Sequence, residues 1–282
     1  MTKNIAALRA GLQDEGYAEG EHYRFDYRVP KTEADVAKLA QAMVRDQVDV
    51  IHAAAFVAID AARKATQTIP IVAHDYETDP VTARFVETLG KPGGNITGMF
   101  LDLPEIARKL VELLKTMVPG LRRIGVLWDP FTGKAQVVAV EHAAKTLGLE
   151  THIHEARAGT LQQTVGKAAG HKAGALVLLG SPVIGAGSRT IADAATKYRL
   201  PSIGLFPSFA RDGGLMGYGP EAVEQYRQEG RMIAKILRGA KPADLPVERP
   251  TKFHFLVNTK TAKVLGLTIP PSLLLRADWV ID

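Results

Sequence analysis

Short apolar runs of four to six residues alternate with longer segments of helical period, and the alternation is written twice along the chain. In the second half, Arg123-Ile124-Gly125-Val126-Leu127-Trp128 reads as an apolar strand. A helix is predicted from Gly133 to Leu147, and Gly148-Leu149 then leads to a strand at His152–His154. In the first half, a helix around Ile5, Leu8 and Leu12 leads to Gly16-Tyr17 and a strand predicted from Tyr23 to Tyr27. The order continues. Val48–Ile51 answers Gly174–Val177, Ile69–Val72 answers Leu200–Ile203, and Gly93–Gly98 answers Gly213–Tyr218. Partners stay near 120 to 132 residues apart, so the repeat is a duplicated domain rather than a solenoid unit. The first copy lacks its opening strand: only Met1 to Asn4 stand before the first helix, and no strand fits there.

Strand runs alternating with helical periods predict an α/β architecture with parallel sheets. Val36, Leu39, Ala40 and Met43 share one helical face; Ile106, Leu110, Leu113 and Leu114 share another, ended by Pro119-Gly120. The runs ending at Ala73, at Trp128 and at Leu179 have the continuous apolar character of buried central strands. Three junctions, at Lys91–Asn95, Arg211–Gly214 and Lys241–Pro246, divide the chain into two lobes. The expected division is 1–98 with 219–250 returning to it, and 99–218 with 251–282 returning to it, in the manner of a hinged clamshell. A length of 282 residues and a hydrophobic content of 46% suit two cores. The net charge of +5 is spread without a basic run, which argues against a nucleic-acid partner. With no cysteine, thiolate metal sites, cysteine nucleophiles and disulfides are excluded. No apolar stretch reaches the length of a membrane span, and the N-terminus shows no signal-peptide pattern.

Several motifs together carry a resemblance. Asp79-Pro80-Val81, Lys91-Pro92-Gly93-Gly94-Asn95-Ile96-Thr97-Gly98, Gly213–Pro220, Lys235–Glu248 and Ala262–Leu274 are similar to ABC-transporter substrate-binding proteins, in the branch that includes binders of tryptophan and related aromatic amino acids. The resemblance runs from about Ile5 to the end of the chain. It implies two Rossmann-like lobes with parallel sheets joined by crossover strands, of the type I periplasmic-binding-protein kind, with the first strand of lobe one missing. It also implies a small-molecule ligand captured between the lobes, an ABC permease as membrane partner, and a periplasmic or membrane-anchored extracytoplasmic location. No cofactor and no catalysis are implied. The family pattern carries an export signal and a first strand ahead of the first helix, and this sequence departs from it there.

Open parallel sheets bind ligands beyond the carboxyl ends of their strands. The candidates are therefore Ala54, Ala55, Phe56, His74, Asp75 and Tyr76 in lobe one, and Asp129, Phe131, Thr132, Gly180, Ser181, Phe206 and Tyr218 in lobe two. Small residues at Ala54, Ala55, Gly180 and Ser181 permit close approach to backbone N–H groups. Asp75 and Asp129 suit a ligand ammonium, or else cap the following turn. Phe56, Tyr76, Phe131, Phe206 and Tyr218 suit a planar or apolar group, or else pack at the rim. Asp79 before Pro80 reads as a structural cap. His74 reads as a strand-end histidine held by a hydrogen bond. His152 and His154 read as an exposed strand face, since a metal would need further ligands aimed at one point. Gly180–Ser188 lacks the lysine of a phosphate loop, and no G-x-S-x-G or Ser, His and acid arrangement is present. The reading is a solute-binding component of an ABC import system for a small carboxylate or amino acid. The alternatives are the ligand-sensing part of a transcription regulator, an N-terminally truncated homologue that does not bind, and an enzyme on a doubly wound fold.

Overall fold

The computed structural model describes every residue from Lys3 to Asp282 except Lys31, Tyr76 and Thr78. In chain order the first elements are α1 (Lys3–Asp14), α2 (Glu33–Arg45), β1 (Ile51–Ala54), α3 (Phe56–Ala65), β2 (Ile71–His74) and β3 (Ile96–Met99). Next come α4 (Leu103–Met117), β4 (Arg123–Trp128), α5 (Ala135–Thr146), β5 (Glu150–Glu155), α6 (Leu161–Gly170) and β6 (Ala175–Leu178). These are followed by α7 (Pro182–Ala186), α8 (Ser188–Lys197), β7 (Ser202–Leu205), α9 (Ser208–Arg211), β8 (Met216–Gly219) and α10 (Ala222–Leu237). A short 3₁₀ turn at Pro242–Asp244 precedes β9 (His254–Asn258), α11 (Thr259–Leu265), α12 (Pro271–Leu274) and β10 (Trp279–Ile281). The chain forms two compact units, Met1–Asp102 with Ala222–Thr251, and Leu103–Glu221 with Lys252–Asp282.

The second unit holds a seven-stranded sheet in the order β10-β9-β8-β7-β6-β4-β5, parallel throughout except between β8 and β9. Strands β6 and β7 are buried at every position, as a central parallel strand with both faces covered must be. The edge strand β5 alternates instead. Helix α4 buries Leu103, Ile106, Leu110, Leu113, Leu114 and Met117, one apolar stripe at helical spacing. Strand β4 has β5 on one side and β6 on the other, so the strand order reverses there. The carboxyl ends of β4 and β6 flank that switch point, where a doubly wound sheet leaves a crevice.

The first unit holds a three-stranded parallel sheet, β1-β2-β3. One face is closed by α3 and a core of Ile51, Ile59, Ile71, Phe85, Ile96 and Phe100. The returning segment runs beside β3: the Thr97 hydroxyl donates to the Leu245 carbonyl at 2.8 Å, and the Phe100 amide donates to the Glu248 carbonyl at 2.8 Å. Helix α10 packs on the opposite face, against β2 and β3, and also along α1. The two helices meet at glycines. A Cβ on Gly230 would stand 2.9 Å from the Gly11 Cα and would run into the Leu8 carbonyl. Arg227 and Arg231 of α10 close the seam on Asp14, at 2.7 and 2.8 Å. These two guanidiniums hold the Asp14 carboxyl well below its ordinary range.

The duplication is visible in the order of elements: α1, α2, β1, β2 and β3 run parallel to α5, α6, β6, β7 and β8. One expected strand is absent. Tyr23–Tyr27, the counterpart of β5, forms no ladder; only an isolated bridge joins Glu19 and Tyr23. Strand β5 pairs with β4, the opening strand of its copy, and among the described residues no strand lies beside β1 on the corresponding side. The apolar alternation of this segment therefore has no sheet to join, and Tyr27 and Val29 stand about 60% exposed. Asp79 does cap, accepting from the Val81 and Thr82 amides at 2.9 and 2.8 Å, but the segment after it is a turn rather than a helix.

Candidate functional site at the strand ends

Three strands end on the same backbone device. The residue following β1, β2 and β7 is Ala55, Asp75 and Phe206, with φ of 73°, 63° and 100°. None is glycine, and such conformations are held at a cost of about 1–3 kcal/mol each. Each amide still extends the ladder: Ala55 donates to the His74 carbonyl, Asp75 to that of Met99, and Phe206 to that of Tyr218. The chain then turns sharply away. Asp75 and Phe206 follow the corresponding strands β2 and β7, so the strained turn is repeated in the two units there.

In the second unit, the loops at the switch point are built around buried polar groups. Asp129 is 1% exposed; its Oδ1 accepts the Phe131 amide at 3.0 Å, and Thr132 Oγ1 donates to the Asp129 carbonyl at 2.8 Å. Asp129 Oδ2 is buried and makes no hydrogen bond of ordinary geometry, although the Ser181 hydroxyl and the Val183 amide lie near the carboxylate. Burial pushes the Asp129 carboxyl up, while the Phe131 amide and the Ser181 hydroxyl pull the other way. Gln136 on α5 is fully buried and clamps Gly180 through both amide atoms, accepting from its N–H at 2.8 Å and donating to its carbonyl at 3.1 Å. Ser181 caps α7 by accepting the Ile184 amide at 3.0 Å. Phe131 and Phe206 are half-buried, and Tyr218 stacks on Phe253 with ring centroids 6.3 Å apart.

In the first unit, Ala54 and Ala55 lead into α3, where Phe56 packs edge-on against Phe85 as part of the core rim. Asp75 accepts the Glu77 amide at 3.0 Å, so it stabilises its own turn. Burial raises its carboxyl to about 6, against the opposing pull of His74 and the Glu77 and Leu101 amides. Tyr76 lies outside the described residues. His74 is buried, and its Nδ1 is 2.6 Å from Glu229 Oε1; His52 Nε2 is 2.8 Å from Glu229 Oε2. Glu229, on α10, has no exposed surface. Tyr226, one turn earlier, lays its ring 4.2 Å from that of His74.

Sequence reasoning placed His74 and missed Glu229, His52, Tyr226 and Gln136. A signal existed for Glu229: it sits three and four residues from Tyr226 and Ile233, on the stripe that α10 buries. A carboxylate on an apolar stripe demands a partner. Burial alone would favour neutral Glu229, yet His74 and His52 hold it below its ordinary 4.5. Burial likewise opposes charge on His74, and Glu229 lifts it above its ordinary 6.5. The signs fix a pH window. The Glu229 contribution to stability is present above 4.5 and is lost as pH falls through its lowered value. That of His74 is present below 6.5 and is lost as pH rises through its raised value. Thermal unfolding of the full chain should therefore show its best stability from pH 4.5 to 6.5. A melting temperature that climbs steadily from pH 6.5 toward alkali would contradict the charged pairing.

The face expected to be exposed on β5 is half so. His152 is exposed, whereas His154 is buried and its ring centroid lies 5.3 Å from that of His171. Burial, with His171, His152 and Lys167 nearby, depresses the His154 imidazole. Among the described residues no group of His, Asp and Glu side chains is drawn together to hold a metal ion, and no helix is long and apolar enough to cross a membrane.

Comparison with known proteins agrees with this architecture. The family model of ABC transporter substrate-binding proteins matches residues 1–281. A tyrosine-binding protein of Clostridioides difficile is 27% identical over 264 residues, spanning 91% of this chain and 74% of that protein. Among solved structures, an ABC domain from Streptococcus pneumonia in complex with L-Trp superposes with a TM-score of 0.82 at 28% identity, covering 99% of this chain and 94% of the other. A conserved domain protein of Vibrio cholerae gives 0.83 at the same identity and coverage. Paired α/β units with parallel sheets, strained strand ends and a match along the whole length place this chain in the family of ABC transporter substrate-binding proteins.

Proposed function

We propose that the chain is the solute-binding component of an ABC import system, working outside the cytoplasm and handing its ligand to a membrane permease. The ligand is a small carboxylate, an amino acid with an aromatic side chain, taken up at the carboxyl ends of the parallel strands. The observation that carries the reading is Asp129 at the switch point of the second unit: a carboxylate 1% exposed, with one oxygen satisfied by its own loop and the other buried with no hydrogen bond of ordinary geometry. An ammonium supplies the charge-assisted donor that such an oxygen needs. Phe131, Phe206 and Tyr218 at neighbouring strand ends suit an aromatic group. The relatives named for tyrosine and for bound L-Trp support the same ligand class.

A thermal-shift screen of the full chain against L-tyrosine, L-tryptophan and simple aromatic carboxylates tests it, because a ligand specific for the folded state raises the melting temperature. Asp129→Asn keeps the size of the side chain and its acceptor for the Phe131 amide. It should weaken amino-acid binding about tenfold or more, as loss of one buried charge-assisted bond does. Unchanged affinity on direct titration would remove Asp129 from the site.

A further inference from the structure

We infer that Glu229 is a positioning residue for ligand recognition, presenting the His74 Nε2–H at the carboxyl end of β2 to a ligand carboxylate. The inference rests on the reading of the protein as a binder of small carboxylates and names the group in the first unit that reads the acid.

His74 closes β2, immediately before the strained Asp75. Its Nδ1 is taken by Glu229 Oε1 at 2.6 Å. An acceptor with no proton of its own fixes the proton on Nδ1, and Nε2 is the remaining polar atom of the ring. Among the described residues no protein group bonds that atom, and the side chain keeps 11% of its surface open. The carboxylate is itself immobilised, since His52 on β1 holds the second oxygen at 2.8 Å. Tyr226 flanks both imidazoles, at 4.2 Å from His74 and 5.7 Å from His52, and fixes the plane of the His74 ring. A buried carboxylate behind an imidazole at a strand end is a costly arrangement for packing alone, where apolar side chains of the same volume would serve. It has a use if the imidazole is to be both oriented and charged.

The groups facing the pair are His52 from β1, Asp75 from the loop after β2 and Tyr226 from α10; Asp102 after β3 acts on Asp75, and Tyr27 on Tyr226. The tyrosine is held neutral, chiefly by burial and by Glu229, and the acids favour a protonated imidazole. The His74 imidazole thus holds its proton to higher pH than a free one and loses it as pH rises through its raised value. Affinity for a carboxylate follows the same course.

The test is calorimetric titration of L-tryptophan and L-tyrosine into the full chain from about pH 5.5 to about pH 8.5, with tryptamine, which lacks the acid and keeps its ammonium protonated across that range, as control. Affinity for the acids is expected to fall about tenfold or more across that range, and affinity for the amine is not. His74→Gln should lose both the affinity and its pH dependence. Glu229→Gln should flatten the pH profile while far-UV circular dichroism shows a folded chain. If Glu229→Gln fails to fold, the wild-type profile and His74→Gln decide the matter. Tight binding that ignores pH and survives His74→Gln overturns this inference and leaves the functional reading standing. Failure of the wild type to bind any acid of the panel at any pH overturns the functional reading, and this inference with it.

Discussion

Gly230→Val should remove about 3 kcal/mol of stability, the upper part of the usual range for overpacking. Most overpacked sites relax because a side chain gives way. Here the atoms a new Cβ would meet are backbone: the Leu8 carbonyl, the Gly11 Cα and the Leu12 nitrogen. Helix α1 would have to move off α10, and the ion pairs of Asp14 with Arg227 and Arg231 would open with it. Helix propensity is not the cause, since valine is no worse than glycine in a helix interior. Gly170→Ala is the control, because a Cβ there meets nothing within 4 Å. Urea unfolding should separate the two variants clearly; a wild-type midpoint for Gly230→Val would show that the two helices are not locked at this contact.

The second large effect concerns the free side of β1. Ile51 and Ala55 donate toward β2, to the carbonyls of Pro70 and His74, so the alternate amides of His52 and Ala54 point the other way. In the second unit the corresponding side of β6 is occupied by β4. An N-terminal extension carrying an apolar parallel strand should fill the equivalent place. The gain is about 2–4 kcal/mol, as each ladder bond nets about 1 kcal/mol and the buried apolar side chains offset the ordering of the strand. It should also let Tyr23–Tyr27 pair, giving the exposed Tyr27 and Val29 a sheet to lie on. Hydrogen exchange at the His52 and Ala54 amides reports directly. If both exchange as fast with the extension as without it, the strand does not seat there.

What the sequence showed and what it hid divide along one physical line. Local periodicity located β4, α4, α5 and the apolar runs of β6 and β7, because burial of a whole strand or of one helical stripe leaves a mark within ten or fifteen residues. The same rule erred at Tyr23–Tyr27, whose alternation is strand-like but whose ladder partner is absent among the described residues. Strand ends were located because parallel sheets put function there, yet the groups that organise those ends come from distant segments. Glu229 meets His74 across 155 positions, and Gln136 meets Gly180 across 44. No window spans such distances. Glu229 was nevertheless visible as a charge on a buried stripe; Gln136 carried no comparable sign.

The first unit is assembled from two stretches of chain, and this sets a timetable for synthesis. Its three strands are complete by Met99, but the helix covering one face begins at Ala222, and the segment lining β3 arrives at Leu245–Glu248. The second unit waits as well, since β9 and β10 are the last strands made. A ribosome therefore extrudes well over half of the polypeptide before either sheet can be sealed, with apolar faces bare throughout an interval of about ten seconds or more at ordinary rates. Holding chaperones should engage the nascent chain during that interval. A protease cut or premature stop ahead of Ala222 would leave the first sheet without the helix that covers one of its faces.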